Sequence, residues 1–372
     1  MARFSITVCF FLAGLCFSSW ASRIPDIKTL LALNDAQLGN VLFSLPAGLM
    51  VSLPLSGWMV TRFGSKRMLA AGIVLYACTL SLIGLVTSTW QLVIILFAFG
   101  LWANLVNIAV NTQAVHVEKL HGRSTMAFFH GAWSLAGFLG AALALLFAYL
   151  DVTIQLHFLI VSILISLSMV LLYKNLFSGD TASNTTVFFA RPDKFLLQLG
   201  IIGFFGLACE GAMFDWSGIY FQKIVRPPAA LITLGYVAFM STMTFGRFIG
   251  DHFTNKLGRK KMLQISGVLI AFGLTMAIAL PSLATASLGF MFVGFGVSSV
   301  IPLVYGAAGR STSTSPGMAL AAVSSISFLG FLLGPPIIGW IAQTVNLQYS
   351  FALIAVLGLC ITLMTSKARL IQ

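Results

Sequence analysis

Apolar residues dominate this chain in long blocks, and short polar connectors separate one block from the next. A helix that crosses a bilayer needs roughly 20 mostly apolar residues. Twelve stretches meet that requirement. Six lie in the first half, at 4–28, 37–60, 67–88, 90–117, 125–149 and 153–174, and six in the second, at 195–222, 231–253, 261–280, 283–308, 317–342 and 347–366. The pattern predicts an all-α polytopic membrane protein with twelve transmembrane helices. Its longest connector, 175–194, holds Gly179, Asp180 and a Ser/Thr/Asn patch. It reads as a cytoplasmic linker between an N-terminal six-helix half (1–174) and a C-terminal six-helix half (195–372).

The halves repeat each other. Thr61-Arg62-Phe63-Gly64-Ser65-Lys66-Arg67, in the second connector, matches Asn255-Lys256-Leu257-Gly258-Arg259-Lys260-Lys261 at an offset of 194 residues. At nearly the same offset Trp20-Ala21-Ser22 corresponds to Trp216-Ser217-Gly218. Two pseudo-symmetric halves of the same orientation are expected.

Only 8% of the 372 residues are charged and 59% are hydrophobic, against roughly 25% charged in an ordinary soluble domain. The solvent for such a surface is lipid. A net charge of +12 does not point to nucleic acid, because the bases gather in the connectors. Seventeen of the 21 Lys and Arg fall on one side, Arg247 counted among them, and only Arg23, Lys28, Lys223 and Arg226 on the other. Basic loops stay in the cytoplasm, so both termini are expected there. Met1 to Ser22 has the pattern of a secretory leader, but its counterpart in the second half makes it the first span. The cysteines at 9, 16, 78, 209 and 360 lie in apolar stretches without paired spacing and read as packing residues.

The second connector resembles the signature of the major facilitator superfamily, Gly-x-x-x-Asp-Arg-x-Gly-x-Arg/Lys-Arg/Lys, here carried by Gly57, Arg62, Gly64, Lys66 and Arg67. Lys256, Gly258, Arg259 and Lys260 repeat it in the second half. The signature's acid is replaced by Thr61 and by Asn255, and Asp251 is the nearest substitute. Four further segments resemble the bacterial YbjJ-like inner-membrane branch, more distantly the fucose–proton symporter. They are Val106 to Ala114, Phe129 to Leu135, Glu210 to Ser217 and Gly246 to Asp251. That branch has Asp where Asn107 stands. The resemblance implies a secondary transporter of the bacterial inner membrane, usually monomeric, with a substrate site between its halves near the midplane.

An ionisable side chain at bilayer depth costs about 2.5–3.5 kcal/mol on insertion scales, so each one asks for a reason. Glu210 lies about fifteen residues into the seventh block with no base within a turn, and is the candidate proton-coupling or substrate-binding group. Asp215, five residues on, is rotated by about 140° around the helix. It is a candidate partner for Arg23, which could pair instead with Asp26. Asn104, Asn107 and Asn111 fall within a 60° arc of the fourth block, a stripe of donors and acceptors suited to a polar solute. His130 and Trp133 share a face of the fifth block with Ser134 and Gly137, and His130 could relay protons. Trp20, Trp216, Tyr220 and Tyr305 complete the candidates for flanking a solute. Gly330 and Gly334 read as helix packing.

No His-Glu-x-x-His, no phosphate-cradling glycine loop with Lys-Ser/Thr and no Gly-x-Ser-x-Gly elbow occurs. No enzyme activity, cofactor or metal is expected. The expected partners are a small-molecule substrate, protons and the lipid bilayer. The leading reading is proton-coupled transport of a small polar solute, and the alternative is efflux of drug-like amphipathic compounds. A sensor built on a transporter scaffold is the third.

Overall fold

The computed structural model describes residues 2–121, 126–178, 193–310 and 316–367, with the side chains of 118–121, 127, 251, 316–318, 321 and 367 left aside. The first six predicted blocks become α1 (Ala2–Ser22), α2 (Ile24–Leu30), α3 (Asp35–Leu42), α4 (Ser44–Phe63), α5 (Ser65–Ile83), α6 (Thr89–His121), α7 (Met126–Tyr149) and α8 (Ile154–Leu172). The second six become α9 (Lys194–Tyr220), α10 (Leu234–Leu257), α11 (Arg259–Ala279), α12 (Leu283–Ala308), α13 (Pro316–Thr344) and α14 (Leu347–Lys367). Twelve spans are long and apolar enough to cross a membrane, and no strand occurs among the described residues.

Two blocks are broken where the sequence reading drew them whole. The first, 4–28, divides at Arg23, and Pro25 sits in the opening turn of α2, where a missing N–H costs nothing. The second divides at Phe43. Pro46 has no N–H to bond the carbonyl four residues back, so the ladder opens there. Pro302, by contrast, lies inside an uninterrupted α12.

Contacts divide the chain into two compact units, Met1–Leu33 with Val41–Asn184, and Asn34–Asn40 with Thr185–Gln372. Most of the expected linker, 179–192, lies outside the described residues. The short Asn34–Asn40 segment joins the second unit through close packing of Gly39 on Pro335 and Gly339 and through polar contacts. Lys223 Nζ reaches both carboxylate oxygens of Asp35 at 2.8 and 2.7 Å, and Gln343 Oε1 accepts from the Asp35 N–H at 3.1 Å.

The internal repeat reappears as packing. In the first unit α1 packs on α7, α4 on α6, and α5 on α6 and α8. In the second α9 packs on α13, α10 on α12, and α11 on α12 and α14. Equivalent helices therefore choose equivalent neighbours. Backbone carbonyls serve as cross-helix acceptors, as lipid requires of buried hydroxyls. Ser18 Oγ donates to Gly137 O at 2.6 Å, Ser162 Oγ to Ala77 O at 2.6 Å and Thr242 Oγ1 to Met291 O at 2.7 Å. The predicted glycine contact is half realised. A side chain at Gly330 would run into the carbonyl of Phe204, whereas a Cβ at Gly334 would stay 4.0 Å from its nearest neighbour, Ala208 O.

Candidate functional site

The second unit holds a charged cluster inside its helices. Glu210 on α9 is 6% exposed, and Arg247 Nη2 on α10 donates to Glu210 Oε1 at 3.1 Å. Tyr305 on α12 lies within electrostatic reach of Glu210 and near Ser327 on α13. Ser327 is fully buried and donates to Val323 O at 2.7 Å. Four helices thus contribute one polar group each. A carboxylate and a guanidinium that share a hydrogen bond in low dielectric hold each other's charge, and a change in one is felt by the other.

Glu210 has no base within a turn of its own helix, and its base comes instead from the neighbouring helix. Arg247, counted with the bases of one side, lies near the end of the span Ala229–Gly250 and turns its guanidinium to the buried acid. Its position inside the predicted block 231–253 was the signal for this, since a base there needs a buried acid.

Asp215 on α9 is 8% exposed and has no ionic or hydrogen-bond partner among the described residues. Arg23 spends its guanidinium inside the first unit, on Asp26 Oδ2 at 2.8 Å, His157 Nδ1 at 3.2 Å and the carbonyl of Val152 at 3.0 Å. The nearer acid wins because it lies one turn away on the same chain segment. His157, missed by the sequence reading, is fully buried, and its Nε2 meets no partner among the described residues.

The asparagine stripe divides. Asn111 Nδ2 donates to Asn107 Oδ1 at 2.6 Å, and the two line a cavity of about 350 Å³ with Ile108, Thr112 and Val115. Asn104 is buried away from it, 2% exposed, with Nδ2 lacking an acceptor among the described residues. His130 is exposed and sets its ring against Phe10, with centroids 5.2 Å apart. Trp133 lies 6.0 Å from the ring of Phe17. Ser134 and Gly137, on the same face, are taken up by packing and by the bond from Ser18.

Trp20 and Trp216 are both buried, and each indole N–H lacks an acceptor among the described residues. The repeat seen in sequence therefore carries the same unsatisfied donor into each unit. Tyr220 is corrected from a solute-flanking residue to a core one. Its hydroxyl donates to Ala277 O at 2.9 Å and its ring packs 4.4 Å from Phe351.

The two signature connectors turn on glycine. Gly64 and Gly258 have φ of +86° and +79° with extended ψ, a region closed to other residues. Gly57 does no comparable work, since nothing lies within 4 Å of where its side chain would be. Asp251's side chain, the suggested replacement for the missing acid, lies outside those described.

Comparison with known proteins places these features. The family model described as Major Facilitator Superfamily matches residues 6–241 and 199–370. An uncharacterized MFS-type transporter of Yersinia pestis is 34% identical over 358 residues, covering 96% of this chain and 93% of that protein. Two solved structures share the fold. A mutant of the nucleoside transporter NupG has a TM-score of 0.79 at 13% identity, with 99% of each chain covered. A D-xylose–proton symporter has a TM-score of 0.78 at 14% identity, covering 100% of this chain and 98% of the other.

Proposed function

This chain belongs to the major facilitator superfamily and is a multi-pass membrane transporter, and from that premise we propose that it carries a small polar solute in exchange for or together with protons. The observation that carries the reading is the Glu210–Arg247 pair, 3.1 Å apart among the apolar helices of the second unit. Protonating Glu210 removes its charge and releases Arg247, so a proton and the arrangement of α9 against α10 are linked. Asn107 and Asn111 supply carboxamides to a cavity in the first unit and are the groups assigned to solute hydroxyls or amides. Two proteins of the same fold are named for a nucleoside and for proton-coupled D-xylose, which supports a polar cargo.

The proposed setting is a bacterial inner membrane with both termini in the cytoplasm. There the halves 1–174 and 195–372, joined by 175–194, alternate access as a monomer. Assignment to the YbjJ-like branch belongs to this proposal as well.

The test is a thermal-shift screen of the purified protein against sugars, nucleosides, amino acids, small peptides and lipophilic cations at two pH values. A ligand at a hundred times its dissociation constant stabilises by about 2.7 kcal/mol. A polar solute whose shift weakens in Glu210→Gln supports the reading. Shifts confined to lipophilic cations would overturn it in favour of efflux.

A further inference from the structure

Three acids are buried among the described residues, all in the second unit, and two of them meet a base. Asp35 takes Lys223 Nζ at 2.7 Å and Glu210 takes Arg247 Nη2 at 3.1 Å. Asp215, 8% exposed, takes neither a base nor a hydrogen-bond donor among the described residues. A carboxylate at that depth in an apolar span is costly unless a positive charge pairs with it. Two of the acids are matched within the fold, and the third is left for a partner from outside it.

The helix around Asp215 leaves room for such a partner. Side chains three and four residues apart share a helix face. Three of the four such positions around Asp215 are Gly211, Ala212 and Gly218, so α9 itself scarcely covers the carboxyl. The neighbouring donors point elsewhere. Trp216 and Ser217 follow at about 100° and about 200° around the helix, and their indole N–H and hydroxyl are buried without acceptors among the described residues. Across from Gly211 stands the ring of Phe331 on α13, 3.5 Å from where a Cβ would be, and Phe214 lies 6.2 Å from the same ring. A carboxylate pairs with a cation and an aromatic face attracts one.

Asp215 also stands apart from the coupling pair. It lies five residues beyond Glu210, about 7.5 Å along the axis and about 140° around it. A cation there meets Asp215 without displacing Arg247 from Glu210. We propose that Asp215 binds the protonated amine of the solute, which is therefore a small polar molecule bearing an ammonium group. The inference rests on the proposed transport of a polar solute and names its class.

The experiment is a thermal-shift titration of the purified full chain with matched pairs. These are glucosamine against N-acetylglucosamine, serinol against glycerol, and ethanolamine against ethylene glycol, with tetraphenylphosphonium as a lipophilic cation. Wild type is expected to bind an amine of the panel about tenfold or more tighter than its neutral counterpart, since a hydrogen bond to a charged group is worth about a decade in affinity. Asp215→Asn should abolish that difference, and Asp215→Glu should keep part of it. Without ligand, Asp215→Asn should unfold at the wild-type midpoint or above, because no partner in the fold is lost. A lower midpoint, or a variant that does not fold, would make Asp215 a structural acid and overturn the proposal. So would an amine preference that survives Asp215→Asn, or a panel in which no amine exceeds its neutral counterpart.

The proposed function fails by different outcomes. Neutral solutes that bind in a Glu210-dependent way without an amine preference would keep that reading and overturn this one. An amine preference lost in Asp215→Asn but untouched by Glu210→Gln would keep this one and remove Glu210 from the proposed function. Shifts from tetraphenylphosphonium alone would overturn both.

Discussion

Arg247 reaches Glu210 from the next helix, Nη2 to Oε1 at 3.1 Å, with the glutamate side chain 8% and the arginine side chain 18% exposed. Each is the other's reason for being tolerated at that depth. Removing one partner of a buried pair costs more than removing both, because the survivor is left as an uncompensated charge. Arg247→Met is therefore expected to destabilise by about 3 kcal/mol, and Glu210→Gln/Arg247→Met by less. Unfolding midpoints of the two single variants and the double variant in detergent form the cycle that checks this. A double variant no more stable than the sum of the singles would mean that the pair does not couple.

Transport should separate from binding at the same residue. In proteoliposomes Glu210→Gln is expected to lose accumulation driven by a pH gradient while keeping solute counterflow, because the carrier still cycles but no longer carries a titrating group. Unchanged accumulation would remove Glu210 from proton coupling.

Arg23 makes three polar contacts inside the first unit. Arg23→Ala is expected to destabilise by about 3 kcal/mol, since it strands the buried His157 and the Val152 carbonyl. Asp26→Asn, which leaves two of the contacts in place, should cost about 1 kcal/mol. Thermal denaturation ranks them, and the reverse order would discount the cluster.

Glycine substitutions distinguish backbone demand from open space. Gly64→Ala and Gly258→Ala should each cost about 1–3 kcal/mol, because their dihedrals are strained for any side chain. Gly57→Ala should be neutral or slightly stabilising, as helix interiors favour alanine and nothing lies within 4 Å. Midpoints of chemical denaturation provide the comparison.

Packing of α9 on α13 supplies a further contrast. Gly330→Val should separate the helices and cost about 1–3 kcal/mol, since the added carbon meets the Phe204 carbonyl. Gly334→Ala, with 4.0 Å to its nearest neighbour, should be accepted.

The hydropathy blocks, the repeat and the glycine-centred connectors were legible along the chain, because a helix in lipid satisfies its backbone within its own segment, so its length and polarity are set locally. Even the shared Trp20 and Trp216 motif could be read at fixed offset. The partners of the polar groups could not. Arg247 reads as one more cytoplasmic base until α10 is set beside α9, and Arg23 looks available for Asp215 until His157 and Val152 close around it. Likewise Asn104 shares an arc with Asn107 and Asn111, yet only the latter two reach the cavity. Periodicity fixes which way a side chain points from its own helix, to within tens of degrees. Which charge it meets depends on the neighbouring helix's register and rotation. Packing across the whole unit decides those, through contacts between residues far apart in the chain.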